Sequence, residues 1–276
     1  MPALPFKQVD VFTRTPFLGN PVAVVFNASA LSETAMQQIA RWTNLSETTF
    51  VLPSTTAHYR LRIFSPAGEL PFAGHPTIGS AHAAREANLV PREVTTFTQE
   101  CAAGVIPLAV DERGIHARVP TPKLLERPVD AARLRAALGA KVHDPRIINL
   151  GPVWIVAKIE GDIYSLTVDD DAIAALSREL GATGVTVYEI AQNDGVRVRS
   201  FAPAAGIPED PVCGSGNAAV AAHLTTYGLQ KRVGSRYTAR QGHAVGRDGR
   251  VEVKIDGGEV MIGGMCVTVV DGIINV

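Results

Sequence analysis

Two glycine-rich loops hold most of the residues in this chain whose types and spacing could do chemistry. Each loop precedes an alanine-rich segment with few charges, which is typical of a buried helix. The first turn of such a helix leaves backbone N–H groups unpaired, and together with the helix dipole they favour an anion. We therefore predict that the loops bind a substrate, most simply through its carboxylate. The loop residues are Gly74 and His75 in the first loop, and Cys213, Gly214, Ser215 and Gly216 in the second.

The two loops differ at the positions that carry polar side chains. His75 follows the first loop glycine, whereas Ser215 follows the second, and Asp210 occupies the place of Leu70. His75 and Asp210 could hydrogen-bond polar substituents of a substrate or act on a nearby catalytic carboxyl group. Ser215 has two readings of equal weight, because a serine at a helix start either caps the helix or binds the carboxylate.

Glu47 is the candidate general acid/base. It lies in the segment NLSETTF at 44–50, and the corresponding segment of the second half, GATGVTVY at 181–188, is apolar where Glu47 stands. Partial burial raises the pKa of a carboxyl group toward the range in which it can exchange protons at neutral pH. The alternative is a solvated or capping glutamate, since such acids mark active sites only in a fraction of cases.

Cys213 also has two readings. A thiol at a helix N-terminus is expected to have a lowered pKa, which would make it an acid/base or a nucleophile. Alternatively it is a small buried apolar residue, the usual state of a free cysteine. For Cys101 and Cys266, which lie in strand-like stretches, burial is the prediction. His82 and His223 fall in the alanine-rich segments and are predicted to be core residues.

Composition excludes several classes of function. The chain has 276 residues, a formal net charge of −1, 46% hydrophobic and 19% charged residues, so no global field attracts nucleic acid or acidic membranes. No apolar run reaches the length of a membrane span, and the N-terminal segment lacks the features of a signal peptide, so we expect a cytoplasmic protein. HExxH, CxxC, Walker and GxGxxG motifs are missing, so we expect neither a metal nor a nucleotide cofactor.

The loops belong to a larger internal repeat. RIFSPAG at 62–68 resembles RSFAPAAG at 199–206, and each continues into its glycine loop. Several matches in the same order, at a domain-sized offset, indicate a duplication rather than a solenoid. Each half reads as a strand, an amphipathic helix, further strands, the loop and the alanine-rich helix. The predicted strands include 23–26, 59–64, 155–159 and 196–201, and alternating segments at 105–119 and 251–270 are predicted to complete the sheets. The predicted helices are 32–42, 78–87, 131–138, 169–180 and 217–227.

These elements predict two α/β halves, each with a strongly curved sheet around one buried helix and with the ligand cleft between the halves. The proline-rich stretch 120–145 suits the crossover. The domain limits are therefore set at 1–120 and 121–276, with the last strand free to return to the first domain.

At these residues the chain resembles the phenazine-biosynthesis isomerase (PhzF-like) family, within the diaminopimelate epimerase and proline racemase superfamily. The motifs that carry the resemblance are GNPVAVV from Gly19, NLSETTFV from Asn44, FSPAGELPFAGHPTIGSAH from Phe64 and FAPAAGIPEDPVCGSG from Phe201. The resemblance implies a duplicated α+β fold of two pseudo-symmetric, barrel-like domains, each wrapped around a central helix, and a homodimer. It also implies proton transfer without metal or cofactor on a small carboxylate. Glu47 matches the family's proton shuttle, and His75, Asp210 and Ser215 match positions that order the substrate.

The chain departs from the family at Cys213, where the phenazine enzymes typically have threonine. Racemases of the superfamily place catalytic thiols in such loops, but they use two opposed thiols, and the partner position here is Ala73. We therefore expect a one-base isomerase acting on a small, amino- or hydroxy-substituted carboxylate. Two alternatives stay open: a racemase or epimerase that uses Glu47 with Cys213, and a non-catalytic protein that binds small carboxylates.

Overall fold

The computed structural model describes residues 3–191 and 195–276. The chain folds as two compact units. Unit 1 contains Met1–Arg118 and Gly263–Val276, and unit 2 contains Val119–Ile262. The C-terminal strand therefore belongs to the unit in which the chain begins. None of the described helices is both long enough and apolar enough to span a membrane.

Unit 1 is built from nine strands and two α-helices among its described residues. The strands are β1 (Ala3–Val11), β2 (Asn20–Val25), β3 (Thr48–Leu52), β4 (Tyr59–Phe64), β5 (Glu69–Leu70), β6 (Thr96–Cys101), β7 (Gly104–Asp111), β8 (Gly114–Arg118) and β18 (Cys266–Asn275); the helices are α1 (Glu33–Thr43) and α2 (Gly74–Glu86).

The sheet of unit 1 curves around helix α2. Its strand order is β18-β1-β2-β3-β4-β6-β7-β8, with β5 paired to the end of β4. Helix α2 contacts β18 and β1 at one end of this order and β8 at the other. Its small residues permit this enclosure: a Cβ atom on Gly79 would lie 2.5 Å from Val22 Cγ1 and 2.8 Å from Val11 Cγ2. Glycine at this position lets the helix approach the sheet.

Helix α1 packs on the outer side of this sheet. Its N-cap is Ser32, whose Oγ accepts a hydrogen bond from the Ala35 amide at 3.2 Å. Met36 and Ala40 are buried in a cluster that includes Phe50 and Phe64. This packing determines where the chain leaves α1, and it leaves only a short turn before β3 begins.

Unit 2 repeats the same plan. Its elements are β9 (Lys123–Leu125), α3 (Ala131–Leu138), β10 (Val142–Asn149), β11 (Val153–Ile159), α4 (Asp170–Leu180), β12 (Gly184–Ala191), β13 (Gly195–Ala202), β14 (Ile207–Asp210), α5 (Gly214–Thr226), α6 (Gln230–Val233), β15 (Arg236–Gln241), β16 (Gly249–Asp256) and β17 (Glu259–Gly264), the last of which ends at the junction with unit 1.

The sheet of unit 2 has the order β9-β10-β11-β12-β13-β15-β16, with β14 paired to β13. The parallel pairs β11–β12 and β13–β15 correspond to β2–β3 and β4–β6 of unit 1. Helix α5 is buried and contacts β10, β11, β12 and β16, whereas α3 and α4 cover the other side of the sheet through a separate apolar cluster. The predicted curved sheet around one buried helix is present in each unit.

Candidate active site

Glu47 lies in the turn that joins helix α1 to strand β3. Helix α1 is followed by its C-cap Asn44, whose φ of 53° is left-handed, and the chain enters the sheet at the buried residues Thr48 and Thr49. Thr49 Oγ1 is 2.8 Å from Ser80 Oγ on α2. The helix end, the strand and α2 therefore fix the backbone on both sides of Glu47.

The carboxyl group of Glu47 contacts the imidazole of His75. Glu47 Oε2 is 3.2 Å from His75 Nε2, and the two side chains are only 14% and 7% exposed. Nδ1 of the same ring is 3.5 Å from Nδ2 of Asn20, which is fully buried at the start of β2. The predicted site residues Glu47 and His75 thus meet within unit 1, and Asn20 is an additional residue that the sequence analysis did not identify.

His75 is a neutral imidazole in the folded protein. Burial lowers its pKa to about 3, although a hydrogen bond to the backbone of Pro21 acts in the opposite direction. A neutral ring has one N–H donor and one acceptor nitrogen. It can therefore lie against Glu47 without adding a charge that would hold the carboxyl group in its ionised form.

The position equivalent to Glu47 in unit 2 is a glycine. Thr48 pairs with Phe64 in unit 1 and Val185 pairs with Phe201 in unit 2, so the strand registers match Glu47 to Gly184. A Cβ atom on Gly184 would lie 2.0 Å from the Phe201 carbonyl oxygen. The scaffold of unit 2 thus leaves no room for a side chain where unit 1 carries its acid.

In unit 2, Asp210 ends strand β14 just before helix α5. One of its carboxyl oxygens accepts a hydrogen bond from the Val212 amide at 3.0 Å. Burial raises the pKa of Asp210 to about 6, and the negative charge of Glu209 acts in the same direction, whereas hydrogen bonds from Cys213 and Val212 oppose it. Asp210 therefore exchanges its proton close to neutral pH, a property that is common at functional sites.

Cys213, rather than Ser215, is the side-chain cap of helix α5. Its Sγ accepts a hydrogen bond from the Gly216 amide at 3.2 Å. The thiol is buried, and burial together with the neighbouring Asp210 raises its pKa well above the usual value. The expectation of a lowered pKa at this helix start is wrong, because the loss of solvation outweighs the helix dipole.

We predict that the thiols are inert in the folded protein. Burial also raises the pKa values of Cys101 and Cys266, the latter to about 12. Because thiolate is the reactive form, iodoacetamide at pH 8 should modify native protein at least about 10²-fold more slowly than a free cysteine. Mass spectrometry of native and urea-unfolded protein measures this, and urea should restore labelling at all three sites. Fast modification of Cys213 in the native state would contradict the prediction.

Ser215 is held by a residue that the sequence analysis missed. The indole Nε1–H of Trp154 on β11 donates a hydrogen bond to Ser215 Oγ at 3.0 Å. The hydroxyl group also lies 3.6 Å from Cys213 Sγ. Ser215 is therefore not the cap, because Cys213 has that role. Ser215 is the second residue of helix α5, and the hydrogen bond from Trp154 orients its hydroxyl group.

The two buried helices begin alike. In α5 the Gly216 amide is taken by the cap and the Asn217 amide closes the first turn on Cys213, which leaves the amides of Gly214 and Ser215. In α2 the third position is Pro76, which has no N–H, so the amides of Gly74 and His75 are the corresponding donors. Two successive backbone amides at a helix start are well suited to bind an anion.

The histidines of the two buried helices outside the loops contact residues of the framework. His223 is buried, with Nδ1 2.9 Å from Tyr188 Oη and Nε2 2.7 Å from the Asp144 carbonyl oxygen. His82 contacts Thr268 and Glu86. Among residues 3–191 and 195–276, no three His, Cys, Asp or Glu side chains are grouped so that they could hold a metal ion.

Comparison with known sequences identifies the family. A family profile described as phenazine biosynthesis-like protein matches residues 9–272. The chain is 38% identical to antisense-enhancing sequence 1 of Schizosaccharomyces pombe, with 97% of each chain covered. It is 33% identical to trans-2,3-dihydro-3-hydroxyanthranilate isomerase of Pseudomonas aeruginosa, with 91% of this chain and 90% of the relative covered.

Comparison with solved structures agrees with the family that the sequences indicate. The structure of a PhzF-family protein from Bacillus anthracis superposes with a TM-score of 0.87 at 26% identity and covers all of both chains. A hydroxyproline epimerase from Agrobacterium vitis shares the fold, with a TM-score of 0.67 at 15% identity over 99% of this chain and 92% of its own. The predicted duplicated, epimerase-like α+β fold is thereby confirmed, and the chain belongs to the phenazine biosynthesis-like (PhzF) family of isomerases.

Proposed function

We propose that this isomerase moves a proton on a small carboxylate and that Glu47 is its acid/base. The observation that carries the proposal is the contact between Glu47 Oε2 and the neutral ring of His75, in a setting where both side chains are almost buried. A carboxyl group so placed can take a proton from carbon and hold it until it is returned.

The reaction divides into two proton transfers. In the first, the Glu47 carboxylate removes a proton from a carbon beside a conjugated or carboxyl-activated centre, and the electron pair of the C–H bond moves into the conjugated system. In the second, the Glu47 carboxylic acid returns that proton, or a solvent proton exchanged for it, to another carbon on the same face, and the carboxylate is regenerated. His75 stays neutral throughout and lies in contact with Glu47. Backbone amides at helix starts stabilise the negative charge that develops between the two transfers.

The residues of unit 2 are proposed to bind and order the substrate. Asp210 and Ser215 offer polar groups held by their own hydrogen bonds, and Gly214 and Ser215 offer amides for a carboxylate. Cys213 maintains this helix start as its cap. A buried thiol with a raised pKa is a poor proton donor and acceptor at neutral pH, which argues against a racemase that pairs Glu47 with Cys213.

The relative from Pseudomonas aeruginosa indicates a first substrate to test. Its name describes the isomerisation of trans-2,3-dihydro-3-hydroxyanthranilate, an amino- and hydroxy-substituted cyclic carboxylate. We propose that the substrate of this chain belongs to the same chemical class.

A ligand screen in deuterated water tests the proposal. Cyclic amino- and hydroxy-carboxylates, with trans-2,3-dihydro-3-hydroxyanthranilate among them, are first screened for thermal stabilisation, because a ligand that binds the folded state raises the melting temperature. Those that bind are then incubated with the enzyme in ²H₂O and followed by proton NMR. We expect deuterium at a carbon position together with an isomeric product. Ligands that stabilise the protein but neither acquire deuterium nor give an isomeric product would instead support the non-catalytic binding protein.

A further inference from the structure

An arginine and a glutamate next to Asp210 form a buried ion pair that the proposed chemistry does not use. Arg199 on β13 donates from Nε to Glu209 Oε1 at 3.0 Å and from Nη2 to Glu209 Oε2 at 2.7 Å. Their side chains are 9% and 10% exposed. Two parallel hydrogen bonds between guanidinium and carboxylate fix orientation as well as distance. Glu209 is therefore held in one geometry.

Further contacts anchor the arginine itself. Arg199 Nη1 donates to the Ile163 carbonyl oxygen at 3.2 Å, and its guanidinium carbon lies 5.0 Å from the centre of the Phe201 ring. The side chain is thus attached to its own strand and to the segment that follows β11. A residue with this many fixed contacts can act as a rigid support.

Strand β14 needs such a support. It has four residues, and its pairing with β13 is limited to Ser200 with Asp210 and Ala202 with Ile207, with an irregularity in register between them. Neighbouring residues in a strand point to opposite faces of the sheet. Because Glu209 directly precedes Asp210, holding the side chain of Glu209 on one face directs the carboxyl group of Asp210 to the other.

We propose that Arg199 and Glu209 are positioning residues, whose ion pair (the clamp) fixes strand β14 and thereby the direction of the Asp210 carboxyl group at the start of helix α5. This inference rests on the proposed role of Asp210 in ordering the substrate. Neither Arg199 nor Glu209 touches the reacting atoms in this scheme.

Unit 1 contains an equivalent ion pair but has no counterpart of the Asp210 carboxyl group. Arg62 binds Glu69 through Nε at 2.7 Å and through Nη2 at 2.6 Å, and it lies 5.1 Å from the Phe64 ring centre. The residue after Glu69 is Leu70, in the place of Asp210. The duplication therefore provides a matched control, in which an equivalent ion pair supports a strand with leucine in the place of Asp210.

The reporter for the test is the Val212 amide, which donates to Asp210 in the wild type. Its ¹H–¹⁵N signal should shift with pH as Asp210 titrates, and the other titratable groups beside Asp210 include Glu209 and Cys213. Arg199→Lys keeps the charge but cannot form both hydrogen bonds in the same geometry. We expect it to reduce the pH-dependent shift of Val212 by roughly half or more, because hydrogen bonds weaken steeply with misalignment. Arg62→Lys should leave the Val212 titration as in the wild type.

A second pair of variants separates positioning from stability. Replacing both partners of a buried ion pair by apolar residues often preserves folding, so Arg199→Met with Glu209→Met is compared with Arg62→Met with Glu69→Met. The unit 2 variant should fold and lose the Val212 response, whereas the unit 1 variant should keep it. A wild-type Val212 titration in both unit 2 variants would overturn the proposal. Unfolding of both unit 2 variants while both unit 1 controls fold would also overturn it, since the clamp would then be a framework contact.

The NMR readout needs no substrate, so it can fail or succeed independently of the proposed function. Once a substrate is identified, Arg199→Lys should lower kcat by on the order of tenfold or more through misplacement of Asp210, with Arg62→Lys close to the wild type. Loss of the Val212 response with no change in kcat would show that the clamp positions Asp210 but that Asp210 does not serve catalysis.

Discussion

Replacing Glu47 by glutamine is expected to abolish the uptake of solvent deuterium by the substrate. Glutamine has nearly the same shape and can keep the contact with the ring of His75, but it cannot hold a transferable proton. Loss of a general acid/base lowers the rate by on the order of 10³-fold. Since Glu47 is the only carboxyl group proposed for the transfer, both the removal of the proton and its return should stop together.

Mass spectrometry of the substrate after incubation in ²H₂O measures this effect. Glu100→Gln is the control, because Glu100 lies in the same unit and its carboxylate accepts hydrogen bonds from Ser54 and Thr56 on the protein surface. This control should exchange deuterium at the wild-type rate. Thermal unfolding of both variants establishes that they fold. Wild-type exchange in Glu47→Gln would remove Glu47 from the mechanism.

Replacing Asp210 by asparagine should stabilise the protein while it impairs the enzyme. The pKa of Asp210 is raised from 3.8 to about 6 by burial, so the folded state disfavours the carboxylate form. A difference of this size corresponds to roughly 3 kcal/mol at pH values above both pKa values. Asparagine avoids this cost because it does not ionise, and its side-chain oxygen can still accept the hydrogen bond from Val212.

The pH dependence of this gain has a definite sign. A carboxyl group whose pKa is raised on folding contributes its full stability below the unfolded pKa of 3.8, and that contribution is lost as the pH rises through about 6. The advantage of Asp210→Asn in free energy of unfolding should therefore be small near pH 4 and should grow by about 1 kcal/mol between pH 5 and pH 8.

Urea unfolding at several pH values measures the advantage of Asp210→Asn. Asp256→Asn is the matched control, because the Asp256 side chain is 77% exposed and its replacement should change stability little at any pH. If Asp210→Asn were less stable than the wild type at pH 8, the carboxylate form would be the favoured one in the folded protein. If Asp210→Asn is instead more stable and less active than the wild type, as we expect, Asp210 behaves as a residue kept for function at the expense of stability.

Much of the scaffold is predictable because its signals are local. The predicted helix at 131–138 coincides with α3, and the helix predicted at 32–42 with Ser32 as its cap corresponds to α1 (Glu33–Thr43). Helix α2 begins four residues before the predicted start at 78. Glycine and proline at 74–76 are typical of a loop by propensity, yet proline is tolerated in the first helical turn, where its missing N–H costs nothing.

The polar contacts are harder to predict because they join residues that are distant in sequence. Glu47 stands out as a candidate from the duplication alone, since its counterpart in the other half is apolar. The hydrogen bond from Trp154 to Ser215 and the clamp between Arg199 and Glu209 depend on strand register, which a single sequence does not reveal. The pKa of Cys213 also depends on burial, which the position of a thiol at a helix start does not reveal.

Gly184, at the position equivalent to Glu47 in the other unit, has a consequence for the evolution of the duplicated gene. A single base change converts some glycine codons to glutamate codons, so mutation offers Gly184→Glu readily. The folded chain does not accept it, because even a Cβ atom there would overlap the carbonyl oxygen of Phe201. A second acid at the equivalent place would require strand β13 to move first. The difference between the two halves at this position is therefore difficult to remove by single substitutions.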